Sequence, residues 1–187
     1  MVIFSVTKNS FMKYFLMPFG ISLILFACNG GDEKNQNTKT NTNEIKAKSN
    51  RNSKIRNDID LESKGVSVLQ AFLLYEDGTL VPATNETGVG KPVKMRLVID
   101  NGWKEQDGKV SIGASEKIET SDGQIVLDEK DLFAAMPSIN ANDAKFITLT
   151  ANISQLDKLY DYFLVSFKVW DKNGTGAING SYKLYIK

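Results

Sequence analysis

No histidine occurs anywhere in the 187 residues, and Cys28 is the only cysteine. Those two counts exclude Ser-His-Asp and Cys-His catalysis, histidine zinc sites and a histidine pH switch, because no other unperturbed side chain exchanges protons near neutrality. Zinc also lacks its usual nitrogen and sulfur ligands. Carboxylates are the chemistry left. Glu116 with Glu119, and Asp128 with Glu129 and Asp131, form the local clusters. Two carboxylates held at fixed separation in a cleft are what glycoside hydrolysis requires. Charged residues near strand ends are ordinarily solvated, and a domain of about 120 residues leaves little room for a cleft, so the expectation is a protein that is not an enzyme.

The sharpest cation candidate is Asp171-Lys172-Asn173-Gly174-Thr175-Gly176, with oxygen side chains at alternate positions and a glycine at the turn. A calcium ion needs six to eight oxygens around such a curved backbone. No Asp or Glu follows through Lys187, so the later acidic ligand is missing. The plainer expectation is a hairpin loop in which Asp171 bonds local amides and the glycines take positive φ. Asp171 and Asn173 are thus a weak calcium candidate, and no other cofactor is expected. Gly88-Val89-Gly90-Lys91-Pro92 lacks the spacing of a phosphate-binding loop. Four aromatic residues complete the candidate set: Trp103, Tyr160, Tyr162 and Trp170, whose faces could stack on sugars or anchor a partner. Trp170 shares strand register with Leu164, opposite Phe163, Val165, Phe167 and Val169.

The elements that carry these residues have period two. Val93, Met95, Leu97 and Ile99 alternate with charged residues, and Ile147, Leu149, Ala151 and Ile153 alternate with Thr and Asn, which marks half-buried strands. Further strands are expected at 66–75, 109–119, 124–127, 163–170 and 177–186. Asp77-Gly78, Asp107-Gly108, Asp122-Gly123 and Asn173-Gly174 supply turn residues that tolerate positive φ. The sum is an all-β fold, a two-sheet antiparallel sandwich of about seven strands over residues 65–187. One or two helical turns, capped by Asp128 and stopped by Pro137, are expected at 128–136.

At the N-terminus, a basic Lys13, an apolar run over 15–27 and the small Ala27 have the three-part layout of a secretory signal peptide. The run is shorter than the roughly 20 apolar residues a membrane span needs. Leu25-Phe26-Ala27-Cys28 resembles the lipobox of bacterial lipoproteins. That resemblance implies cleavage after residue 27, a diacylglycerol on Cys28 and anchorage by two or three acyl chains, more than the single chain that holds only marginally. Met12 is an alternative start. Residues 28–64, rich in Asn, Lys, Thr and Ser, read as a lipidated end and a disordered tether, since they bury too little apolar surface to offset ordering entropy. Asp32-Glu33 resemble the acidic export signals of surface lipoproteins in Bacteroidota. Asp131-Leu132-Phe133 and Val169-Trp170-Asp171-Lys172-Asn173-Gly174-Thr175-Gly176 resemble the signature of a group of uncharacterised Bacteroidota lipoproteins, which implies an immunoglobulin-like sandwich and no activity.

The chain carries 23 basic and 22 acidic residues; Lys8 and Lys13 leave with the signal, so the mature chain is at net −1. That balance suggests neither nucleic acid nor an anionic membrane surface as partner. The expected protein is an outer-membrane, lipid-anchored module, surface-exposed or periplasmic. It would have a monomeric domain that binds a glycan or an envelope protein. The alternatives are an accessory lipoprotein of an envelope complex and a small carboxylate hydrolase.

Overall fold

Strand-forming alternation turns into two sheets that bury their apolar halves against each other. The computed structural model describes residues 54–187. The signal over 1–27, the lipidation of Cys28 and the tether up to residue 53 lie outside the described residues. Strands β1 (Lys54–Ile55), β3 (Ser67–Tyr75), β5 (Val93–Asn101) and β10 (Phe146–Ala151) form one sheet in the order β1-β3-β5-β10. The other runs β2-β12-β11-β7-β8, built from β2 (Asp60–Lys64), β12 (Ala177–Ile186), β11 (Phe163–Asp171), β7 (Ile112–Thr120) and β8 (Ile125–Glu129). A short β4 (Glu86–Thr87) pairs parallel to β12, and β6 (Lys109–Val110) pairs with β9 (Ile139–Asn140). With the short strands set aside, β3-β5-β10 faces β12-β11-β7-β8. That is the A-B-E and G-F-C-C′ connectivity of the immunoglobulin-like sandwich.

Inward-facing residues supply the core. Leu73, Met95, Leu97 and Leu149 come from one sheet and Ile118, Phe163, Val165, Ile178 and Leu184 from the other, all essentially without solvent contact. Each such side chain contributes about 1.5–3 kcal/mol on burial. The expected hairpin turns at Gly78, Gly108 and Gly123 have positive φ.

Two expectations are corrected here. Residues 54–64, assigned to the tether, belong to the sandwich. β1 pairs parallel with β3 in the first sheet, and β2 pairs antiparallel with β12 in the second. The crossing between sheets is made at Asn57 and Asp58, both in the left-handed region at φ 59 and 48. Buried Asn57 accepts the Leu73 amide on its side-chain oxygen at 3.0 Å. Its Nδ2 donates to Val81 O and to Asn85 Oδ1, while Asn85 Nδ2 donates back to Asn57 O at 2.8 Å. Polar residues here order the chain because their hydrogen bonds are internal. The expected helix at 128–136 is absent as well. Asp128 and Glu129 are held in β8 opposite Lys117 and Glu116. Asp131, not Asp128, does the capping. Its Oδ1 accepts the amides of Phe133 and Ala114, and two successive turns follow through Ala134 and Met136. Among the described residues the helical turn observed is a 3-10 turn at Asp143–Lys145.

Candidate functional site

Alternation along β11 sends Phe163, Val165, Phe167 and Val169 into the core and leaves Leu164, Ser166, Lys168 and Trp170 outside. Trp170 is therefore half-buried on the outer face of the second sheet, in the register expected for it. Its seat is Gly113, its partner across the β11–β7 ladder. A Cβ at Gly113 would collide with the indole, so glycine is what lets the ring lie against the strand. Lys168 Nζ stands 5.9 Å from the ring centroid.

Around Trp170 the face is polar. Lys168 lies opposite Ser115 and Asn179, and Ser166 lies opposite Lys117 and Ser181. At the far end of the same face Tyr162 sits beneath Lys183, whose Nζ is 4.1 Å from the ring centroid. Eight residues separate Tyr162 from Trp170, so the two rings mark the ends of a strip about 26 Å long at the usual rise per strand residue.

The remaining aromatic candidates do not join this strip. Trp103 is half-buried: its ring packs against the core beside Gly176, and its Nε1 donates to Ala144 O at 3.2 Å. Its donor is used and its ring partly packed, so Trp103 offers less free surface to the strip than its sequence position suggests. Tyr160 lines a cavity of about 360 Å³ with Gln124, Ile125, Val126 and Leu156. Its ring meets Phe163 edge-on at 5.3 Å. The Tyr160 hydroxyl donates to Asp157 at 2.7 Å, a bond that holds the Asp157 carboxyl below its ordinary value and the Tyr160 phenol above its own.

Asp171 is buried at the strand end, and both carboxylate oxygens accept backbone amides: Oδ2 from Lys104 at 2.5 Å and Oδ1 from Asn173 at 2.8 Å. The carboxylate thus ties loop 102–104 to loop 172–176. Gly174 has no positive φ, contrary to expectation; glycine is needed there because a Cβ would run into the Asp171 carboxylate. Asn173 Nδ2 points to Gln106 Oε1 at 3.5 Å. Among the described residues there is no group of three or more His, Cys, Asp or Glu placed to hold a metal ion.

The two halves of the sequence signature meet at this end of the molecule. Lys172 Nζ pairs with Asp131 Oδ2 at 2.9 Å and donates to Phe133 O at 3.1 Å, and its backbone amide bonds Ser111 O. Desolvation pushes the Asp131 carboxyl up, but Lys172 and the Ala114 and Phe133 amides outweigh it, so the net shift is downward. The clasp ties the 131–133 turn and the start of β7 to the end of β11, next in sequence to Gly113 and Trp170.

Of the carboxylate clusters, Glu116 and Glu119 lie on opposite faces of β7. Glu119 pairs with Lys117 outside at 2.8 Å, and Asp128 pairs with Lys130 at 2.6 Å. Glu116 points into the core, opposite Phe167 on one side and half-buried Glu129 on the other. It is 2 % exposed, and neither oxygen has a hydrogen-bond partner. Burial alone pushes its carboxyl up to about 7. Tyr182, fully buried nearby, also leaves its hydroxyl unpartnered, and burial followed by the Glu116 charge raises its phenol. Sequence reasoning noted Glu116 only as half of a local pair. The missed signal was its place between Ala114 and Ile118 in the inward register.

No protein-family model and no curated protein sequence matches the chain. Among solved structures, the chain is similar to the C-terminal domain of wzt, with 14% sequence identity and a TM-score of 0.44 over 77% of this chain and 87% of that one.

Proposed function

We propose that this chain is a lipid-anchored lipoprotein of the bacterial envelope whose sandwich binds an extended glycan, without catalysis, along the outer face of the second sheet. The observation that carries the reading is the seat of Trp170 on Gly113, a flat aromatic surface on a strip of Ser, Asn and Lys side chains. Indole faces stack on sugar rings while the hydroxyl, amide and ammonium groups exchange hydrogen bonds with sugar hydroxyls. Tyr162 at the far end gives a chain-like ligand a second ring to cover. Anchorage rests on Leu25-Phe26-Ala27-Cys28, and the signature shared with Bacteroidota lipoproteins is consistent with that location.

The experiment is a calorimetric titration of envelope and environmental oligosaccharides into the protein and into Trp170→Ala and Trp103→Ala. The proposal expects Trp170→Ala to lose at least tenfold in affinity while its unfolding transition is retained. Trp103→Ala should instead lower stability and leave the affinity of the folded fraction unchanged. Equal affinity in Trp170→Ala and wild type would remove the glycan reading. A stoichiometric envelope protein co-purifying with the chain in its place would support the accessory role.

A further inference from the structure

An open sheet has two edges, and the two sheets here expose four strands to possible pairing. β1 is two residues long. β2 is Asp-Leu-Glu-Ser-Lys, and β8 ends in Asp128-Glu129. These are the short or charged edges that keep sheets from adding strands. β10 differs. It reads Phe-Ile-Thr-Leu-Thr-Ala, six residues with no charge and no proline, and it stands at the end of its sheet, paired only with β5. Among the described residues, its one backbone bond outside the β5 ladder is that of the Phe146 amide to Asp143 O in the preceding 3-10 turn.

We infer that β10 is a self-association edge, where a second copy of this chain adds its own β10 antiparallel to form one continuous sheet through both molecules. The choice of a second copy follows from charge. Antiparallel self-pairing sets each strand against its own mirror image, so any charged residue near the axis meets a like charge, which is destabilising. The composition of β10 removes that penalty at registers centred on Thr148 and Leu149, whereas Asp128 and Glu129 would keep it at β8. Exposed Lys145 adjoins Phe146, but pairing centred between Thr148 and Leu149 sets it opposite Asn152 of the other copy, and the cations across the sheet are Lys94 and Arg96 on β5. Three strand spacings would separate them from their copies, about 14 Å and beyond the screening length at physiological salt.

The face beside the edge fits the same pairing. Phe146 is 58% exposed and lies opposite Val98, which pairs with Gln70 on its other side, so the apolar surface at this edge is Phe146 with Val98. Joining two β10 edges covers part of each Phe146. The clasp and Trp170 are on the other sheet and take no part.

The test is sedimentation velocity on the full protein extracted from its membrane in a density-matched detergent, with loading concentration as the variable. Wild type should pass from monomer to dimer. The double variant Thr148→Glu with Thr150→Glu places carboxylates directly opposite Arg96 and Lys94 within one copy, which favours the folded monomer, and against each other across the axis. Its dimerisation should weaken at least tenfold. Thr148→Lys with Thr150→Lys should weaken it likewise, and an equimolar mixture of the two double variants should recover a dimer. Backbone hydrogen exchange in β10 should slow at least tenfold between monomer and dimer concentrations, with β8 unchanged. Wild type that stays monomeric throughout would overturn the proposal. So would a dimer that both charged variants leave intact while the amides of β10 exchange freely.

Discussion

Replacing Glu116 by glutamine should make the protein more stable above neutral pH and leave it nearly unchanged below pH 5. Glu116 is enclosed between Ala114 and Ile118 on the inner face of β7 with no partner for either oxygen. In the unfolded chain its carboxyl titrates at 4.5, and in the folded sandwich burial raises this to about 7. The folded state therefore holds a proton that the unfolded state has released. Below 4.5 both states are protonated and the group adds no pH dependence. Between 4.5 and 7 stability falls as pH rises, and above 7 the loss is complete. Each tenfold change in proton affinity is worth about 1.4 kcal/mol, so the total is about 3 kcal/mol, a large part of a typical domain's stability. Glutamine keeps the shape and stays neutral, so it carries a neutral carboxyl's desolvation cost without the ionisation cost. Urea unfolding of wild type and Glu116→Gln at pH 5 and pH 8 measures the effect. The advantage of the variant should grow by about 2.5 kcal/mol between the two conditions, because about 0.8 kcal/mol is already lost at pH 5. The comparison cancels the remaining carboxylates, including Asp131, Asp122 and Asp157, whose lowered values make stability rise with pH instead. A difference between the two proteins that is the same at both pH values would refute the reasoning, because it would mean Glu116 reaches water or a cation when folded.

Tyr182→Phe should be neutral or stabilising by about 1 kcal/mol in the same assay, since it deletes a buried hydroxyl that has no partner and keeps the ring packed near Phe167. Asp171→Ala should cost about 3 kcal/mol in chemical denaturation by leaving the Lys104 and Asn173 amides unpaired; calcium titrated into wild type should leave the Tm in place, because those amides already occupy the carboxylate. Asn57→Ala should cost about 3 kcal/mol and accelerate hydrogen exchange in β1 and β2 first, as its amide bonds hold that crossing to Val81 and Asn85. Lys172→Met should cost about 1 kcal/mol, the value of one half-exposed ion pair, and the loss should shrink in an Asp131→Asn background in a double-mutant cycle.

Period-two alternation was strong enough in 66–75, 93–100, 147–153, 163–170 and 177–186 to place five long strands and to predict which side of β11 carries Trp170. Tertiary pairing decided what alternation could not. Residues 54–64 look like tether by composition, yet Ile55, Ile59 and Leu61 fall at odd positions, and Ile59 is buried in the core. The crossing at Asn57 depends on hydrogen bonds to residues 16 to 28 positions away, which no local pattern carries. Asp128-Glu129-Lys130-Asp131 has the look of a helix start, but β8 takes the first two residues and Asp131 spends its side chain on Ala114 across the sheet. Trp103 sits in the loop its Asn101-Gly102 neighbours mark; its partial burial there depends on Ala144 and Gly176, remote in sequence.

Asp131, Phe133, Asp171 and Lys172 hold two loops and two strands together, with both carboxylates and the Lys172 ammonium bonded within the fold, so these residues form a structural clasp beside Gly113 and Trp170. The face proposed for the ligand lies beside the motif, on the outer side of the second sheet, while the β10 edge belongs to the other sheet. Pairing through β10 leaves both Trp170 faces of a dimer open. Two such faces on one assembly would engage a repeating polymer with an effective concentration set by their spacing, so avidity could exceed the affinity of either face by orders of magnitude without any new contact. It follows that the Thr148→Glu, Thr150→Glu protein should retain wild-type affinity for a short oligosaccharide and bind a long polymer more weakly. A variant that lost both in equal measure would show that the edge and the face are one site.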